Sequence, residues 1–307
     1  MQFGAQGIRV LSAPLPLVRR CRLFEVNDNT RDGSQVVSKP KPYWREMTTR
    51  DFASGDTDTW VAVLPIAAIE QHGPHLPVGV DALIAEEMVA QCVARLPKDV
   101  PVTFLPVQEV CKSNEHIDSP GTLTLDWDVA IRTWIAIGHS VARAGLRKMV
   151  IVTSHGGNVA PMEIVARELR QTHAMAVATT AWGRLSKNVV HSYPDGPMVD
   201  IHGGLSETSL MLAIRPDLVK MDLAEDFASA QTPLRQASVK LGFHMADANL
   251  GWLAQDLNPK GTVGDASSAK AEPGAAAIAA QVDGFHALLR DLMRHDPPPV
   301  KARSVDK

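Results

Sequence analysis

At 307 residues, with 45% hydrophobic and 21% charged side chains, the chain can bury a sizeable core, and its composition excludes intrinsic disorder. Its 31 Lys and Arg against 34 Asp and Glu leave a net charge of −3, without the basic excess that a nucleic-acid or anionic-membrane partner calls for. No apolar run approaches the roughly 18–20 residues that span a bilayer, and Cys21, Cys92 and Cys111 are widely spaced without a CxxC pair, so a disulfide framework or thiolate zinc site is not indicated. A reducing, cytoplasmic setting and a small polar partner fit these figures.

The chain opens with Arg9, Arg19, Arg20 and Arg22 and no acid before Glu25, broken by "APLPL" and followed by the polar run "NDNTRDGSQVVSKPKP". A transit peptide is one reading of this stretch. An arm over residues 1–43, poorly ordered or held in an oligomer, is the reading preferred here. It precedes one large domain over 44–293 and a tail over 294–307.

From residue 60 a regular alternation begins. "WVAVLPIAAI" (60–69) reads as a buried strand, and "DALIAEEMVAQCVARL" (81–96) as a helix with Ile84, Met88 and Cys92 four residues apart. "VTFLPVQEV" (102–110) predicts a second strand, 126–145 a helix stopped by Gly145, and "KMVIVTS" (148–154) a third strand. A helix over 160–173 and a strand over 174–182 continue the pattern. Such alternation argues for an α/β fold with a parallel sheet and helices on both faces. A helix over 205–219, opened by Ser206, and a terminal helix over 273–293 follow. The Gly- and Asn-punctuated segment 227–270 reads as a lid or excursion from the sheet.

Ionisable residues concentrate where these strands end, which is where open α/β sheets bind ligands. In "IEQHGPHLPVGVD" (69–81), Glu70 and His72 are two apart and share a side in extended backbone, Gly73 and Pro74 turn the chain, and Asp81 begins the next helix. Carboxylate, imidazole and carboxylate suit Zn²⁺ or Mn²⁺. Alternatively, Asp81 caps its helix while His72 and His75 bond loop backbone. "SHGGN" (154–158) puts His155 at the end of the third strand, and Gly156 and Gly157 could instead cradle phosphate, the reading of a non-catalytic nucleotide-binding module. No GxGxxG or GK[ST] accompanies them. In "DIHGGLSETS" (200–209), His202 and Glu207 flank a Gly-Gly turn, although Glu207 could simply favour the helix start. Ser113, Glu115 and His116, after the second strand, together with Gly156 and Gly157, are read as substrate contacts.

Taken in order, "EQHGPHLPVGVD", "SNEHIDSPGT", "HGGN", "HGGLSETSLMLAIRPDLV" and "GTVGD" resemble the creatininase family of metal-dependent amidohydrolases over roughly residues 44–290. The resemblance implies a three-layer α/β/α fold with a mostly parallel sheet, two divalent ions per chain, Zn²⁺ and/or Mn²⁺, and a homo-oligomer, often a hexamer. By position it assigns Glu70 and His155 to one metal, His72 to the other, Asp81 to both, and proton transfer to His202. A metal-bridging hydroxide would attack a non-peptide or cyclic amide. Relatives also act on formamides or a peptide terminus. Creatinine-hydrolysing members carry glutamate where this chain has Gly157, so Glu207 is expected to complete the second metal site, with Glu115 as its substitute. They also carry tryptophan and aspartate where this chain has Met198 and Val199, which argues against creatinine as substrate. A structural oligomer whose metals only staple subunits is a further alternative.

Overall fold

The computed structural model describes residues 39–186 and 200–300. Most of the expected arm, and Met198 and Val199, lie outside them. A central sheet is formed by β1 (Val61–Ile66), β2 (Val102–Phe104), β3 (Lys148–Thr153) and β4 (Ala176–Ala181), all parallel in the order β2-β1-β3-β4. β1 and β3 pair in register from Val61↔Lys148 to Ile66↔Thr153. After a short helix α1 (Thr49–Ser54), the crossovers are α2 (Val80–Ala94), α3 (Trp127–Arg143) and α4 (Val159–His173).

β1 is buried along its whole length, so its alternating side chains serve two cores. Val61 and Val63 join Ile84 and Met88 of α2 on one face; Ala62, Leu64 and Ile66 join Trp134 of α3 and Val165 of α4 on the other. The first core also receives Met211 of α5 (Leu205–Ile214) and, further along, Phe285 of the terminal helix Ala271–Arg294. The three layers are therefore helices, sheet, helices. β1 lies between β2 and β3: the first crossover runs from β1 out to β2 and the second returns past β1 to β3, so the winding reverses and the loops after β1 and β3 flank this switch point.

Three expectations are corrected. The second strand stops at Phe104 rather than running to 110: Leu105 N–H still reaches the Val63 carbonyl at 2.9 Å, but the next bond to β1 comes from Gln108, whose N–H reaches the Pro65 carbonyl at 2.9 Å, so one extra residue bulges out and breaks the ladder. The helix predicted over 205–219 ends at Ile214, since Arg215 precedes Pro216 and leaves helical geometry. Its cap also differs: Gly204, not Ser206, is the N-cap, and the Ser206 N–H and hydroxyl donate to Asp200 Oδ2 at 3.0 and 2.5 Å.

The 227–270 excursion contains α6 (Gln231–Ala237), α7 (Ala254–Leu257) and four two-residue strands, β5 (Asp226–Phe227), β6 (Leu241–Gly242), β7 (Ala248–Asn249) and β8 (Gly264–Asp265). The terminal helix is α8. The excursion is partly a brace: Val263 N–H and Thr262 Oγ1 donate to the His202 carbonyl at 2.9 and 2.7 Å. Among the described residues no helix is long and apolar enough to cross a membrane.

Candidate metal centre

Beyond β1 the chain stays extended, its backbone tied on both sides. Glu70 N–H donates to Val78 O at 2.9 Å, and Leu123 N–H to Ile69 O at 2.8 Å. Glu70 and His72 are consequently buried at the strand end. Gly73, at φ +74°, makes the reversal, and α2 then begins at Val80 with Gly79 as N-cap. Asp81 therefore does not cap α2. Its Oδ2 turns inward, 3.8 Å from His72 Nε2 and 3.7 Å from His155 Nδ1. His72 accounts for both earlier readings: Nδ1 donates to the Glu70 carbonyl at 3.0 Å, leaving Nε2 with its lone pair towards the acids. His75 faces away, with Nε2 at 2.9 Å from Thr208 Oγ1.

His155 follows β3, held by reciprocal bonds between its backbone and Thr153 Oγ1. Asn158 locks the three loops together, donating to the Ala67 carbonyl at 2.8 Å and accepting from Lys112 N–H at 3.2 Å. The two glycines form a 3₁₀ turn leading into α4. Beside Gly157 lies the Glu115 carboxylate, a neighbour that repels phosphate.

His202 and Glu207 arrive from the start of α5. Glu207 Oε2 accepts the Gly203 N–H at 2.6 Å and lies 3.6 Å from His72 Nε2. It thus combines the helix-start role with a place in the site. His202 Nε2 donates to the Gln71 carbonyl at 2.6 Å, which leaves Nδ1 as the free lone pair, 3.6 Å from Glu70 Oε1. Around the same Glu70 oxygen stand His155 Nδ1 at 3.1 Å and His116 Nε2 at 3.4 Å.

These atoms form three sets that could each hold an ion: Glu70, Asp81 and His155; His72, His202 and Glu207; Glu70, His116 and His202. Both oxygens of Glu70, Asp81 Oδ2 and His72 Nε2 are buried without a hydrogen-bond partner. Unmade bonds of this kind are costly in a protein interior, and the donor types suit a divalent cation. The electrostatics agree. Burial and the neighbouring Glu70 charge hold the Asp81 carboxyl well above its ordinary range. Burial alone would raise Glu70 too, but His155, His116 and His202 outweigh it and hold it well below. Burial pushes His72 well down, so its imidazole is neutral and able to ligate.

The centre opens into a cavity of about 560 Å³, walled by Asn114, Glu115, His116, Gly156, Gly157, His202 and Glu207 and lined on the excursion side by Phe243, Leu250 and Trp252. Trp252 stands edge-on to His116, 6.4 Å between centroids. Ser113 is fully buried and is not one of the walls. Sequence reasoning missed Gln71, whose Nε2 lies 2.7 Å from His116 Nδ1 and donates to Gly261 O at 2.5 Å; its position between Glu70 and His72 was the available signal. It also missed Trp252, for which nothing local gave a signal.

A parallel α/β sheet with buried carboxylates and imidazoles at its switch point defines a class of metal-capable hydrolase. The family model described as creatinine amidohydrolase matches residues 45–289, and the chain belongs to that family, creatininase, whose members hydrolyse carbon–nitrogen bonds. A creatinine amidohydrolase from Pseudomonas putida is 34% identical over 202 residues, 62% of this chain and 76% of the relative. A mycofactocin precursor peptide peptidase from Mycobacterium tuberculosis is 29% identical over 243 residues, 77% and 86% of the two chains. Solved creatininase structures, one a manganese form and one of Zn–Zn type, superpose with a TM-score of 0.66 at 26% and 25% identity, covering 83% and 84% of this chain and 100% of theirs.

Proposed function

We infer that this chain hydrolyses an amide carbon–nitrogen bond at two divalent ions, Zn²⁺ and/or Mn²⁺, one held by Glu70 and His155, the other by His72 and Glu207, with Asp81 shared. The observation that carries this reading is Asp81 Oδ2, buried, without a hydrogen-bond partner and nearly equidistant from His72 and His155. Bound there, such ions polarise an amide carbonyl and lower the pKa of water. The protein's own part is positional. Backbone bonds fix the tautomers of His72 and His202, Asn158 sets the loops, and His202 Nδ1 passes a proton to the leaving nitrogen. Phe243, Leu250 and Trp252 offer an apolar wall to the substrate on the excursion side.

The substrate is an amide larger than creatinine. A cavity of about 560 Å³ falls in the range that encloses drug-sized ligands, which favours a formamide on a larger skeleton or a peptide terminus, the latter in keeping with the peptidase among the relatives. The enzyme is read as a cytoplasmic homo-oligomer: Cys92 and Cys111 are buried and free, and Trp127, Ile117 and Leu123 are exposed at 62%, 57% and 52%. The test is a screen of amides, formamides, lactams and short peptides with metal-reconstituted protein. A chelator should abolish turnover and Zn²⁺ or Mn²⁺ restore it; full turnover by metal-free protein would end this reading.

A further inference from the structure

Glu115 does not lie simply on a substrate wall. Its Oε1 stands 3.1 Å from His155 Nε2, while the opposite ring nitrogen, Nδ1, faces Glu70 Oε1 at 3.1 Å and Asp81 Oδ2 at 3.7 Å. The imidazole is a spacer between one carboxylate at its back and two at its front. His155 Nε2 is buried and has no aligned hydrogen-bond partner; Glu115 is the carboxylate that faces it. The space for that carboxylate comes from Gly157, where an added methyl group would overlap both Glu115 Oε1 and His155 Nε2. The missing side chain at 157 and the placement of Glu115 are one feature.

We propose that Glu115 is a positioning residue that accepts the Nε2–H of His155 and so fixes the tautomer in which Nδ1 is free to ligate. This rests on the metal centre inferred above. A neutral imidazole carries one N–H. With Glu115 behind the ring, that proton belongs on Nε2, and the Nδ1 lone pair points at Glu70 and Asp81. Without Glu115, the proton is drawn to Nδ1, where Glu70 Oε1 is already within reach, and a hydrogen bond replaces two ligands. Gly157 serves the centre by admitting an acid from another loop.

Equilibrium dialysis with elemental analysis tests this on the full chain, using Zn²⁺ and Mn²⁺ against wild type, Glu115→Ala and Glu115→Gln, with near-UV circular dichroism to verify folding. Glu115→Ala should weaken one ion by about 10–100-fold and leave the other unchanged, as removal of a carboxylate behind a ligating histidine does. Glu115→Gln, whose amide oxygen can still accept from Nε2–H, should recover most of the loss. Unchanged affinities in folded Glu115→Ala, with a raised KM, would make Glu115 a substrate contact and overturn the proposal. Wild-type protein that binds no divalent ion would overturn the metal centre itself. Should Glu115→Ala not fold, ring ¹⁵N spectra of the wild-type holoprotein decide, and a His155 protonated on Nδ1 refutes the role.

Discussion

Two residues at the start of α5 divide the work between holding ions and moving protons. Glu207→Gln keeps the shape and the Gly203 bond but removes the charge facing His72 Nε2, so elemental analysis should find one ion lost selectively. His202→Ala should keep both ions and slow turnover by roughly 10²–10⁴-fold. Loss of an ion in His202→Ala would instead assign it as a ligand with His72 and Glu207, a grouping the geometry permits. His75, outside the centre, sets part of the acid limit. Burial holds its imidazole down from 6.5 to about 4, so as pH falls below 6.5 the unfolded chain takes up a proton that the native chain refuses. Stability from this group is thus lost from 6.5 downwards. His75→Gln should lose less melting temperature than wild type between about pH 7 and pH 5, measured by scanning calorimetry.

At the scale of elements, the site depends on α5 being pressed against α8. Gly274 in α8 meets the backbone of Ser209 so closely that an added methyl group would overlap its carbonyl. Gly274→Ala must separate the two helices, because neither contact atom can rotate away. Overpacking of this kind costs about 1–3 kcal/mol, and the shift is transmitted to Glu207 and His202 one turn and a loop away. Urea unfolding should show the destabilisation; an unchanged midpoint would mean that α8 can slide freely. Periodicity over-extends β2 and α5, because an alternating pattern carries on through a bulge or a proline that breaks the hydrogen bonding.

For the whole molecule, the described core closes with residues from 42 onward. Phe104 N–H donates to Pro42 O at 2.7 Å, Tyr43 bridges Phe104, and Trp44 and Met47 pack on the core shared by α3 and α4. Deleting residues 1–36 should leave a folded, metal-binding protein, whereas deleting 1–47 should strip the β2 edge and yield aggregates, read by light scattering. Equal solubility of both truncations would show that the edge needs no cover. The exposed Trp127 belongs to the same scale: Trp127→Glu should reduce the assembled mass in multi-angle scattering, and an unchanged mass would place the subunit contacts elsewhere.

The alternation of strands and helices is legible along the chain, because periods of two and 3.6 are local properties of consecutive side chains. Equally legible is that Glu70, His72, Asp81, His155, His202 and Glu207 lie at strand or helix ends, since each follows or opens an element within a few residues. Only the tertiary structure decided which nitrogen of His202 is free, because the Gln71 carbonyl that takes Nε2–H is brought from 131 residues away, whereas His72 is held by the neighbouring Glu70 carbonyl. It also decided that Trp252, far along the chain, walls the cavity beside His116. Local pattern fixes what an element is and where it ends. Which partner a buried polar atom finds is settled by packing between elements distant in sequence, and the chemistry of this site is written mostly in those partners.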